Sequence, residues 1–207
     1  MDASPLLADC RLLPVVVIDA AEPAVALART LRDAGVGAIE ITLRTEAALA
    51  AIEAVAREVP EILLGAGSVR AVPQFRQVID AGACFAVSPG ATPMLLGEAS
   101  LPLIPGGATA TEFLIAFEAG YRLQKFFPAQ LSGGAAMLRA ISQPLPEVRF
   151  CPTGGVTPDN ARDYLSLPSV ACIGGSWFVP PSALAERDFD TIGRLAREAV
   201  ALTTAVG

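Results

Sequence analysis

The sequence predicts an α/β fold, a single (β/α)8 TIM barrel with a short N-terminal helix over residues 1–207, and three observations carry that prediction. Eight apolar, β-rich runs alternate with stretches of helical period. The runs are continuously hydrophobic instead of alternating, the pattern of parallel strands covered on both faces. Connections are short, so each run reaches the next through one helix. An open doubly wound sheet is the competing architecture.

In chain order, a helical lead-in around Pro5 to Cys10 precedes the first strand, Leu12 to Ile18. The remaining strands are expected at Ala38 to Leu43, Ile62 to Gly65, Cys84 to Ser88, Leu101 to Pro105, Tyr121 to Phe127, Val148 to Thr153 and Val170 to Gly174. Helices are expected at Glu22 to Ala34, Glu46 to Val59, Val72 to Ala81, Thr92 to Ala99, Thr111 to Ala119, Gly134 to Ile141 and Pro158 to Leu165. A longer one near Asp190 to Thr203 places Ile192, Leu195, Ala199 and Leu202 on one face. Start signals are Thr45 before Glu46, the Thr109 to Glu112 capping box, and Thr157 followed by proline at the first helical position. No domain boundary, low-complexity tract or charge block interrupts the series.

Composition narrows the chemistry. With 53% hydrophobic and 17% charged side chains, the chain can bury a sizeable core. A net charge of -6 argues against nucleic acid or an anionic membrane as the main partner. Met1 to Pro5 lacks a basic stretch leading into an apolar one, so a cytoplasmic protein is expected. Cys10, Cys84, Cys151 and Cys172 form no C-x-x-C pair, which fits reduced, mostly buried thiols without disulfides. Histidine is absent, which removes serine–histidine dyads and imidazole-bound zinc. Proton transfer falls to a carboxylate, tyrosine, thiol or water.

Lys125 is the only lysine, every other basic side chain being arginine. An arginine keeps its proton in a protein, whereas a lysine among apolar neighbours can lose it and act as a nucleophile. Its neighbours Phe126 and Phe127 suit imine chemistry, and a leftover lysine with a snorkelling stem is the bland rival. In Ala38 to Arg44, alternation sends Glu40, Thr42 and Arg44 into the barrel mouth and Ile39, Ile41 and Leu43 toward the helices. A structural ion pair inside the barrel competes with a catalytic reading of these charges.

Strand ends supply the rest. Gly65-Ala66-Gly67-Ser68 offers a backbone a ligand can approach and a hydroxyl donor. The ends at Ser88-Pro89-Gly90 and Pro105-Gly106-Gly107 are candidate site walls, with plain turns the stronger rival. Thr153-Gly154-Gly155 and Gly174-Gly175-Ser176 stand after the seventh and eighth strands, where this architecture cradles phosphate on exposed backbone N–H groups.

The motifs Glu40-Ile-Thr-Leu-Arg44-Thr45, Gly65-Ala-Gly67-Ser68, Lys125-Phe-Phe-Pro-Ala129, Cys151-Pro-Thr153-Gly-Gly155 and Gly174-Gly-Ser176-Trp177 together resemble the bacterial 2-keto-3-deoxy-6-phosphogluconate (KDPG) aldolases, also called 4-hydroxy-2-oxoglutarate (KHG) aldolases. The resemblance implies a metal-independent Schiff-base lyase of the Entner-Doudoroff pathway, a homotrimer that needs no cofactor and cleaves KDPG to pyruvate and D-glyceraldehyde 3-phosphate. Cleavage of KHG to pyruvate and glyoxylate goes with it. By the same resemblance Lys125 forms the imine, Glu40 is the general acid/base, and Thr153 orients the aldehyde part. Arg44 and Ser68 hold the pyruvate carboxylate, and Gly154, Gly155, Gly175 and Ser176 hold the phosphate; Pro89, from the fourth strand end, is counted with the substrate-binding walls. Two positions depart from the pattern: Ser68 replaces an expected threonine, and Gln130 a frequent glutamate. The alternatives are a 2-keto-3-deoxy-6-phosphogalactonate aldolase, a sugar-phosphate isomerase, epimerase or decarboxylase on the same barrel, and a non-enzymatic metabolite sensor.

Overall fold

Every strand pairing in the computed structural model, which describes residues 1–204, is parallel, and the strands curl into two sheets wrapped by helices. The chain runs β1 (Leu12–Val16), α1 (Ala24–Asp33), β2 (Ala38–Thr42), α2 (Ala48–Glu58), β3 (Leu63–Gly67), α3 (Val72–Asp80), β4 (Phe85–Val87), α4 (Pro93–Gly97) and β5 (Leu103–Ile104). It continues β6 (Gly106–Gly107), α5 (Ala110–Glu118), β7 (Leu123–Phe126), α6 (Gly134–Ser142), β8 (Arg149–Pro152), α7 (Pro158–Leu165), β9 (Ile173–Gly175), α8 (Pro181–Ala185) and α9 (Phe189–Thr204). The last three residues of the span expected as one domain, 205–207, lie outside the described residues.

The six-stranded sheet is ordered β5-β4-β3-β2-β1-β9, and the three-stranded sheet β6-β7-β8. Where one eight-stranded ring was expected, the regular ladders therefore divide. Pro105 has no N–H to donate and separates β5, within the expected run Leu101 to Pro105, from β6, the glycine pair read as that strand's end, which joins the other sheet. Two isolated parallel bridges, Phe150 to Val170 and Thr153 to Gly174, connect β8 with the β9 segment.

The N-terminal helix is replaced by turns over residues 4–9. Only Leu7 N–H reaches back four residues, to the Ala3 carbonyl, while Leu6 and Cys10 make three-residue turns. Ala3 and Leu7 are buried and hold the segment down by packing. A further short helix, α8, stands where none was expected; a proline at its first position carries it.

Sequence alternation on β2 holds. Ile39 and Ile41 join the large core between strands and helices, whereas Ala38 joins the inner cluster with Leu13, Phe85, Val87, Ile104 and Leu123. Thr109 caps α5: its hydroxyl accepts from Glu112 N–H, and the Glu112 carboxylate accepts from the N–H groups of Ala108 and Thr109, both at 2.9 Å. Thr45 is not a cap; α2 starts at Ala48, and the Thr45 hydroxyl donates instead to the Ile18 carbonyl at 2.5 Å. On α9 the buried stripe is Ile192, Ala196, Ala199 and Thr203, rotated from the expected face, with Leu195 only partly covered. All four cysteines are free thiols, but only Cys151 and Cys172 are buried, and Cys84 is exposed.

Candidate active site

The strands deliver their polar side chains to one end. Lys125, third residue of β7, is buried, and its Nζ lies 3.5 Å from Glu40 Oε1, itself buried on β2. Neither carboxylate oxygen of Glu40 has a hydrogen-bond donor among the described residues, so the amine is its one close partner. Nζ also stands 5.2 Å from the centre of the Phe127 ring, in cation–π range.

Glycine makes this placement possible. Gly67 pairs with Thr42 across the β2–β3 ladder, and any Cβ there would overlap the Glu40 carboxylate. The close approach expected of a ligand at this strand end is made, at Gly67, by Glu40 itself. Gly174 does the same for Thr153, whose Oγ1 occupies the space a Cβ would need. At the fifth strand end Gly106 serves packing: it lies against the Ser88–Pro89 backbone, and its N–H donates to the Ser88 hydroxyl at 3.3 Å. Gly106 and Gly107 thus join strands and do not wall the site.

Arg44 follows β2, and its Nε donates to Ser68 Oγ at 3.0 Å. Two hydroxyls on either side of it fix the turn. Thr42 donates to the Val16 carbonyl at 2.9 Å and Thr45 to that of Ile18, tying the end of β2 to the end of β1. Ser68 has left-handed backbone with φ 59°, a conformation a β-branched threonine tolerates less well than serine.

Two adjoining chambers open at this end, sharing Arg44 and Phe127 as walls. The smaller, about 130 Å³, admits Lys125 and Thr153 on one side and Gly154, Gly155, Gly175 and Ser176 on the other. The larger, about 370 Å³, is faced by Ser68, Arg70 and Pro89. All ten residues singled out in the sequence therefore converge, nine on the chamber walls and Glu40 directly behind Lys125. Sequence reading missed Arg70, Val15 and Val156, which lie in none of the quoted motifs, and the wall role of Phe127, which lies in the Lys125 motif.

Below the site, the Thr153 hydroxyl donates to the Cys151 carbonyl at 3.3 Å, and the Cys151 thiol lies 3.7 Å from Thr153 Oγ1. The hydrogen bond to Cys151 together with burial holds the Cys172 thiol well above its usual range. The glycine cradle is braced from outside. Gln130 Oε1 accepts from Tyr164 Oη at 3.0 Å and from Asn160 Nδ2 at 3.3 Å, and the same Asn160 nitrogen donates to the Gly155 carbonyl at 2.9 Å. Among the described residues no group of three or more Cys, Asp or Glu side chains is arranged to hold a metal ion, and no helix is long and apolar enough to cross a membrane.

Such an end can do imine chemistry: a buried amine lies 3.5 Å from a buried carboxylate, with a guanidinium bonded to a hydroxyl and a run of glycines beside it on the chamber walls. Comparison with known proteins agrees. A family model described as KDPG and KHG aldolase matches residues 4–195. The KHG/KDPG aldolase of Escherichia coli is 51% identical over 191 residues, 91% of this chain and 90% of that protein. A KDPG aldolase structure from Legionella pneumophila, with pyruvate captured at low pH as a covalent carbinolamine intermediate, has a TM-score of 0.91 at 41% identity and covers 96% of this chain and 98% of its own. The 2-keto-3-deoxy-6-phospho-gluconate aldolase structure from Zymomonas mobilis has a TM-score of 0.93 at 38% identity, with 100% of both chains covered.

Proposed function

The chain belongs to the KDPG and KHG aldolase family, and from that premise we propose how its own residues carry out a class I aldol cleavage. The enzyme is a Schiff-base lyase that releases pyruvate from a 2-keto-3-deoxy-6-phospho sugar acid, KDPG, with D-glyceraldehyde 3-phosphate as the second product. The observation that carries the reading is the 3.5 Å contact between a buried lysine amine and a carboxylate with no other donor.

A proton passed from Lys125 Nζ to Glu40 leaves a nucleophilic amine beside a carboxylic acid. The amine adds to the C2 ketone, the acid returns the proton to the departing hydroxyl, and loss of water gives the iminium. Glu40, again a carboxylate, takes the proton of the C4 hydroxyl directly or through water. The C3–C4 bond then breaks, its electron pair flowing into the iminium as an enamine while the aldehyde leaves. Protonation at C3 and hydrolysis of the imine release pyruvate and restore the amine. The iminium is the electron sink, so the sequence of steps calls for no metal or organic cofactor.

Arg44 and Ser68 hold the keto-acid carboxylate, the guanidinium presenting a planar fork already fixed on the serine. Thr153 orients the aldehyde part, and the cradle of Gly154, Gly155, Gly175 and Ser176 takes the phosphate on backbone N–H groups. Pro89 closes the far wall. KHG, with a carboxylate in place of the phosphate-bearing end, is the second substrate. We read β5 and β6 as halves of one strand, which with the β8–β9 bridges closes a single (β/α)8 barrel acting as one domain. A cytoplasmic homotrimer belongs to the same proposal, and sedimentation tests the trimer.

Pyruvate plus borohydride tests the chemistry. The expected product is one covalent adduct on Lys125 with loss of lactate-dehydrogenase-coupled pyruvate release from KDPG; an unmodified mass with full turnover after treatment refutes it.

A further inference from the structure

The larger chamber is lined by an arginine that the mechanism leaves unused. Arg70 stands two residues beyond Ser68 and lines the chamber together with Arg44, Ser68 and Pro89. Its backbone is pinned there, because Gln74 Oε1 accepts from the N–H groups of Arg70 at 2.7 Å and Ala71 at 3.0 Å. Its side chain forms no ion pair among the described residues, as with other arginines such as Arg139 and Arg162, so it is not neutralised by a neighbouring carboxylate. Arg44 meets no carboxylate either and donates instead to a neutral hydroxyl. Two guanidiniums therefore border one chamber with no acidic side chain on its walls.

That arrangement has a purpose in this chain. The protein carries a net charge of -6, and its substrates are anions, so the global field opposes their approach. A local pair of cations at the mouth reverses the sign where it matters. We propose that Arg70 is a further binding residue for the 2-keto acid, drawing its carboxylate into the chamber and sharing its charge with Arg44. The inference rests on the Schiff-base reading above and extends it to the entry path. Arg70 is exposed, so its effect is carried by charge across solvent and fades when salt screens it.

Reductive trapping over a pyruvate series tests this by mass spectrometry, in the wild type, Arg70→Ala and Arg70→Lys, at low ionic strength and in about 0.5 M salt. At low ionic strength Arg70→Ala should need roughly fivefold more pyruvate for half-labelling of Lys125, and Arg70→Lys should stay within about twofold of the wild type. In high salt the three curves should converge. With KDPG the same variant should raise KM more than it lowers kcat. Equal half-labelling at low salt, or a deficit that salt does not touch, overturns the role of Arg70. No adduct in the wild type at any concentration overturns the imine chemistry itself, and this inference falls with it.

Discussion

Two carboxylates in this chain have opposite surroundings. Glu112, at the start of α5, is exposed and accepts three bonds, from Ala108 N–H, Thr109 N–H and the Thr109 hydroxyl at 2.7 Å. The first of these, with the hydroxyl bond next, pulls its pKa below the ordinary 4.5. Glu40 is buried, accepts no hydrogen bond, and faces one amine at 3.5 Å. A buried polar group left without a partner costs on the order of 1–3 kcal/mol, more when charged. A sequence selected for stability alone would keep the Glu112 cap and would give Glu40 donors as well. The contrast teaches that the two carboxylates are built differently, one saturated with donors and one left with a single amine, the arrangement the proposed proton transfer calls for.

Each side of the contrast can be broken separately. The largest effect should follow from removing the amine: Lys125→Ala should abolish detectable pyruvate release and leave no site for borohydride trapping, read by coupled assay and intact mass. Glu40→Gln should slow turnover by roughly 10²–10⁴-fold, the span of general acid/base catalysis, while circular dichroism stays native. Near wild-type turnover in that variant would place Glu40 with Glu112 as a structural carboxylate. Gly67→Ala sharpens the comparison without touching a charge, because the new methyl group must displace the Glu40 carboxylate. A shift near 1 Å should lower kcat by about 10²-fold while Lys125 remains trappable.

The capping side should give the smallest changes. Thr109→Ala should cost about 1 kcal/mol in urea unfolding and leave turnover alone. For pH the sign follows from a depressed folded pKa: the stability Glu112 contributes is fully present above the ordinary carboxylate value and is lost as pH falls through the folded one. Acid unfolding between about pH 5 and 3 should therefore be less steep in Glu112→Gln than in the wild type. An unchanged slope would mean that the cap is idle.

Much of this could be read before any coordinates, where the information is local. The alternation of Ile39, Glu40, Ile41 and Thr42 depends only on the strand period, and it sent the apolar pair to the helices as expected. The Thr109 to Glu112 box and the start of α7 at Thr157-Pro158 depend on spacing within four residues. What escaped depends on register. That Gly67 makes room for Glu40 follows from the pairing of Thr42 with Gly67, which no single strand encodes. Arg70 sits in an irregular segment between β3 and α3 without periodicity, and its place on the chamber wall appears only once β3 is set beside β2. The N-terminal segment misled because Pro5 and its leucines suit a first helical turn, while burial of Ala3 and Leu7 is achieved without one.

The clips from Thr42 and Thr45 to β1 reach further than their own strand. They make the ends of β1 and β2 a single mechanical unit, so the position of Arg44 depends on a neighbour that supplies nothing but two carbonyl oxygens. A change in packing under Val16 and Ile18 would then move the guanidinium from behind while every residue on the chamber walls keeps its identity.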